Sequence, residues 1–96
     1  MNYDKNYPIP FKNQMYFLRL DQVKKLLKIS EYNGSNIEVT ICTKEGGEVT
    51  GFVKDFKGHY LLSPAEVYIP IVFHIDTNDG IREFNFLEVD SIEIKN

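Results

Sequence analysis

The chain has 96 residues, of which 43% are hydrophobic and 26% charged, with a formal net charge of −3; that is enough for one domain with a single core and too little for a second. No run approaches the roughly 18 consecutive apolar residues of a membrane-spanning helix. Met1 to Pro10 lacks the apolar segment of a secretory signal, so a cytoplasmic location without membrane contact is expected.

The first 18 residues carry Pro8 and Pro10, which break helices, beside Tyr3, Tyr7, Phe11, Tyr16 and Phe17. That aromatic content is unusual for a disordered tail. Residues 1–18 read as an N-terminal arm, loose at its start and extended from Phe11 to Leu18, where it packs on the domain or a partner. The domain proper is expected over 19–96.

Asp21 offers a capping oxygen for a helix in which Leu20, Val23, Leu26, Leu27 and Ser30 recur on one side and Lys24, Lys25 and Lys28 fall on the other. Asn33-Gly34 ends it with residues that tolerate the left-handed conformation. A helix of about three turns is not stable alone and must dock its apolar stripe on a sheet.

From Asn36 the chain turns to period-2 patterning. Ile37, Val39, Ile41 and Thr43 alternate with Glu38, Thr40 and Cys42, and Gly46-Gly47 supplies a tight reversal. In the returning strand Val49, Gly51 and Val53 share one face, while Thr50, Phe52 and Phe56 share the other. Val53 and Phe56 are both buried only if the strand bends, and Gly51 marks a bend where no side chain fits. His59 to Leu62 reads as a short strand. Val67 to Asp76 reads as a long one with Val67, Ile69, Ile71, Phe73 and Ile75 on one face, and Pro70 at an edge or a bulge. Thr77 to Gly80 is a turn, Ile81 to Leu87 a strand with Phe84 and Phe86 together, and Val89 to Lys95 a last strand with Ile92 and Ile94 inward. The expected fold is mainly β with one N-terminal α-helix, a small five-stranded, strongly bent antiparallel barrel.

These features resemble the Sm-like small β-barrels, the family of the eukaryotic Sm proteins and the bacterial Sm-like RNA chaperones. Ile37, Val39 and Ile41 match the strand of its first motif, Gly46 the turn, Gly51 and Val53 the glycine-apolar pair and Phe56 the aromatic. The RNA-pocket residues are absent: Lys57 stands at the motif's aspartate, Tyr60 at its methionine and Leu61 at its asparagine. The second motif falls at Leu87-Glu88-Val89, without its arginine and glycine. The resemblance implies the barrel, and an edge near Ser91 to Lys95 through which such proteins pair with one another, but not the family's way of holding a base.

Chemistry-bearing residues form no coherent set. His74 and Asp76 lie two apart on one strand face, where a His–Asp contact on a polar surface is expected. Cys42 sits in strand register as a small apolar residue, and its lack of a partner agrees with a reducing compartment. Glu88, Asp90 and Glu93 spread over two faces and read as solvated. No cofactor, metal or small-molecule substrate follows, and no enzyme activity.

The charge is uneven: residues 1–57 hold nine Lys and Arg against seven Asp and Glu, and residues 58–96 two against seven. Any nucleic-acid footprint therefore lies in the first half. The expected function is a non-catalytic binding or regulatory module working through a protein partner or self-association. The alternative is RNA binding by a lysine-rich surface. Lys24, Lys25, Lys28, Lys54, Lys57, Tyr60 and Tyr68 are the candidate interaction residues, the tyrosines because amphipathic rings favour interfaces.

Overall fold

Five strands that follow one helix form an antiparallel sheet, and a separate two-stranded hairpin precedes the helix. The computed structural model describes residues 6–95. In chain order these are β1 (Tyr7–Phe11), β2 (Gln14–Leu18), α1 (Leu20–Tyr32), β3 (Val39–Thr43), β4 (Glu48–Leu61), β5 (Val67–Thr77), β6 (Gly80–Asn85) and β7 (Val89–Ile94). The five-stranded sheet has the order β6-β5-β4-β3-β7. It is open, since β6 and β7 are joined by a short turn and not by a ladder.

The N-terminal stretch is a hairpin and not the single extended piece expected from the sequence. Lys12 and Asn13 both take positive φ, 50° and 64°, and form the two-residue loop between Phe11 and Gln14. Pro8 and Pro10 stand two apart, so both missing donors fall on one edge of β1, the one that β2 need not use. Tyr7, Ile9 and Leu18 enter the same buried cluster as the sheet, and Phe11 and Tyr16 pack edge-on against Phe86 at 5.3 and 5.5 Å. The loose start expected for the arm lies in residues 1–5, outside the described residues.

The helix is capped two residues earlier than expected. Arg19 is the capping residue, and Gln22 Oε1 accepts a hydrogen bond from Arg19 N at 2.8 Å, half of a capping box. Asp21 lies inside the first turn, where its charge suits the helix dipole. The buried stripe is Val23, Leu26 and Ile29, with Leu27 half-buried, whereas Leu20 and Ser30 are exposed. The stripe thus keeps Val23, Leu26 and Leu27 of the expected set, with Ile29 in the place of Leu20 and Ser30. Past the C-cap, Gly34 takes a φ of +69° and donates to Val53 O at 3.0 Å. That carbonyl points to the edge of β4 that β3 leaves after the Val39–Gly51 pair, so the helix end occupies the place of a sixth rung.

One long strand organises the sheet. β4 has 14 residues and absorbs the segment His59 to Leu61, expected as a strand of its own. Its first part pairs with β3 up to Gly51 and its second with β5 from Phe52. Gly51 sits at that exchange, with Asp76 O of β5 only 2.3 Å from where a Cβ would stand. A skip in register between Val53 and Asp55 brings Phe56 toward the same side as Val53, and Phe56 packs against the core half-buried. A second skip, between Lys57 and Gly58, leaves Ile71 without a partner on β4, and Pro70, paired with Gly58, flanks that bulge. Ile71 is half-buried there, while Ile69, Phe73 and Ile75 are fully buried. Ile92 is inward as expected, but Ile94 is half exposed at the end of β7, and Ile37 precedes β3 on the surface.

Candidate functional site

Beyond Pro70 and Gly58 the ladder between β4 and β5 continues alone, because β3 pairing stops at Gly51 and β6 pairing at Val72. One face of this two-stranded ribbon carries Leu61 and Ile69 into the core, and α1 packs against both strands. The other face carries Tyr60 and Tyr68, which stand directly opposite each other across the ladder. With Leu62 they are exposed by 52%, 45% and 73% respectively, a concentration of apolar surface at one end of the molecule.

The two tyrosines are held in different ways. The Tyr68 ring lies over Gly58, whose N–H donates to Tyr68 Oη at 2.9 Å. A Cβ at Gly58 would meet Tyr68 Cε2 at 2.8 Å and Ile69 O at 2.5 Å, so glycine is what lets the ring lie flat on the strand. The Phe56 ring stands 6.0 Å from it. The neighbouring Glu66 carboxylate, with a lesser contribution from desolvation, raises the Tyr60 pKa above the usual tyrosine value.

The lysines do not join them in one surface. Lys24, Lys25 and Lys28 are exposed on α1, on the side away from Val23, Leu26 and Ile29 and so away from the sheet. Lys54 is exposed at the first register skip of β4, and Lys57 is exposed opposite Val72. Of the seven candidate residues, the register pairs only Tyr60 with Tyr68.

Farther along the outer face lies a cluster that brings two residues absent from the expected pair to His74. His74 is directly opposite Asp55 of β4 on one side and Glu83 of β6 on the other. Its Nδ1 is 2.5 Å from Asp55 Oδ1 and its Nε2 is 3.0 Å from Glu83 Oε1. Asp76, two residues along the same strand, does not take part. The hydrogen bond to Asp55 is the main cause that raises the His74 pKa from the ordinary 6.5; desolvation opposes it, and the bond to Glu83 and the two carboxylate charges add to the rise.

The remaining polar groups have structural partners or none. Glu88 Oε1 accepts from Asn85 N at 2.9 Å and Asn85 Oδ1 from Leu87 N at 2.9 Å, so Glu88 shapes the turn between β6 and β7 instead of being merely solvated. Cys42 Sγ lies 4.0 Å from Glu48 Oε2. Among the described residues no group of three His, Cys, Asp or Glu side chains is placed to hold a metal ion, and no helix is long and apolar enough to cross a membrane.

Compared with protein-family models, curated proteins and solved structures, the chain matches none.

Proposed function

We propose that this chain is a non-catalytic binding module of Sm-like architecture whose partner is a second copy of itself, docked edge to edge. The observation that carries the reading is the pair of free edges on one sheet. Among the described residues β6 and β7 each pair on one side only, each has six residues without proline, and each exposes an isoleucine, Ile81 by 52% and Ile94 by 49%. Monomeric proteins usually blunt such edges. A helix followed by five strands, the bend at Gly51 and the order β6-β5-β4-β3-β7 support the small-barrel reading. Lys57, Tyr60 and Leu61 at the nucleotide-holding positions speak against RNA reading as the purpose.

The free donors can be assigned by parity. Lys95 N donates to Glu38 O at 2.9 Å, so alternate residues 93 and 95 face β3, while Ile92 and Ile94 direct their N–H groups outward. On β6 the closing pair Thr77–Gly80 turns Arg82 and Phe84 toward β5 and leaves Ile81 and Glu83 outward. The Asn85 donor is already taken by Glu88. Pairing of β6 in one copy with β7 in the next is heterologous, and it yields a closed ring or an open filament.

Sedimentation over a range of concentrations tests this. The chain is expected to form a multiple of its 11.2 kDa mass. Ile94→Pro removes an outward donor without touching the β3 ladder, and it should weaken association by roughly tenfold or more, since a lost rung and an obstructing ring together exceed about 1.4 kcal/mol. Unchanged circular dichroism and melting temperature would show that the variant is folded. A native chain that stays monomeric throughout overturns the proposal, as does an Ile94→Pro variant that is folded and associates undiminished.

A further inference from the structure

We propose that Asp55, His74 and Glu83 form a protonation-dependent clamp that fastens the edge strand β6 to the sheet. The inference concerns β6 in a single copy of the chain and does not rest on self-association.

The argument is one of donor counting. Both ring nitrogens of His74 face carboxylate oxygens, at 2.5 Å on the β4 side and 3.0 Å on the β6 side. A carboxylate has no proton to offer, so two such contacts need two N–H donors. Only the imidazolium has two. The neutral ring keeps one N–H and turns a lone pair on the other carboxylate. Protonated, the ring links three strands at one level of the register, Asp55–His74–Glu83. Deprotonated, it keeps one of those links.

Other charged groups near the ring are few. On β4, Lys57 lies next along the outer face, opposite Val72; on β5 it is Asp76; on β6, Arg82 has the opposite parity and its guanidinium sits over the Phe84 ring at 5.3 Å. Helix α1 buries Val23, Leu26 and Ile29 in the core, and none of its lysines forms an ion pair with Asp55 or Glu83 among the described residues. Asp55 and Glu83 thus decide the charge state of the ring, and both raise its proton affinity.

The sign follows from the raised value. The clamp is complete below about pH 6.5, the value the ring has when unfolded, and is lost as pH rises through the higher folded pKa. β6 is the strand that depends on it. Among the described residues β6 pairs on one side only, so its hold on β5 is the ladder from Val72–Asn85 to Thr77–Gly80 plus the side chains across it. Glu83 is the one β6 side chain that forms an ion pair with the rest of the sheet among the described residues.

Nuclear magnetic resonance tests the clamp in the intact chain. The His74 ring is expected to titrate above 6.5, and the double variant Asp55→Asn, Glu83→Gln to titrate at or below it. Amide exchange at Arg82 and Phe84, the β6 donors that face β5, is then measured and normalised to intrinsic rates. Their protection should fall roughly two- to fivefold between about pH 5 and pH 8.5, the size of an exposed ion pair. Protection at Ile41 in β3 serves as reference and should hold constant. His74→Gln keeps a polar side chain but no titration, and should flatten the β6 response. A native ring that titrates at 6.5 or below overturns the proposal, and so does a β6 response that persists in His74→Gln.

Discussion

Replacing Gly51 with alanine is expected to destabilise the protein by about 3 kcal/mol or to prevent folding, at the upper end of what overpacking costs. The new methyl carbon would stand 2.3 Å from Asp76 O, 2.9 Å from Ile75 Cγ2 and 3.0 Å from Asp76 C. Two of those three atoms are backbone of the neighbouring strand, so no rotamer change relieves the contact. Relief requires β5 to move away from β4 at the point where β4 exchanges its partner from β3 to β5. Gly46→Ala is the matching control. A Cβ there meets nothing within 4 Å and is disfavoured only by the φ of +93°, a penalty of about 1 kcal/mol. Urea denaturation of both variants measures the contrast. Equal midpoints for the two would mean that β4 does not pass β5 so closely.

The second large effect is expected at Phe73. Its side chain is fully buried in β5, paired across the ladders with Phe56 and Phe84, and its ring is stacked on Phe84 with centroids 5.9 Å apart and planes inclined by 26°. Phe73→Ala removes the burial energy of a whole ring and leaves a cavity that flanking strands cannot close, a loss of about 3–5 kcal/mol. Against a total of about 5–15 kcal/mol for a domain, that is a large share. Phe73→Leu refills most of the volume and should restore the urea midpoint to within about 1.5 kcal/mol of the native chain. If alanine and leucine proved equally damaging, packing volume would not be what Phe73 provides.

Both predictions concern features that the residues announced. Gly51 marked a bend because Val53 and Phe56 lie three apart and both are apolar, which a flat strand cannot satisfy. The structure resolves this with a register skip at Lys54 and a change of partner strand at Gly51. Phe73 was inward by period-2 parity with Ile69 and Ile75, and parity held on both sides of the Pro70 bulge.

Elsewhere local signals were present but outweighed. Tyr7, Ile9 and Phe11 alternate, and Lys12-Asn13 ends in a residue tolerant of positive φ, yet the two prolines were read only as helix breakers and the extended piece was placed after them, from Phe11. They are harmless because, among the described residues, β1 is bonded on one side only. The start of the helix was displaced because β2 runs to Leu18 and leaves Arg19 as the one residue between the elements. Gln22, three residues on, was the cue for that cap. His74 was matched with Asp76, its neighbour in sequence, although residues two apart on a strand are roughly 6.6 Å apart along it, farther than the directly opposed residue of the next strand.

The sequence by itself determined that this chain is mainly β with one helix, that Val39, Ile41, Val53, Ile69, Phe73, Ile75 and Ile92 face inward, and that the chain turns at Gly46-Gly47 and at Thr77 to Gly80, since those properties depend on neighbours a few positions away. Only the tertiary structure decided that Tyr60 faces Tyr68, that Asp55 and Glu83 meet His74, and that β6 and β7 are the outer strands of the sheet. Such relations depend on the register between segments 8 to 19 residues apart in the chain. Register is set by the packing of the whole core, which no short window of sequence contains.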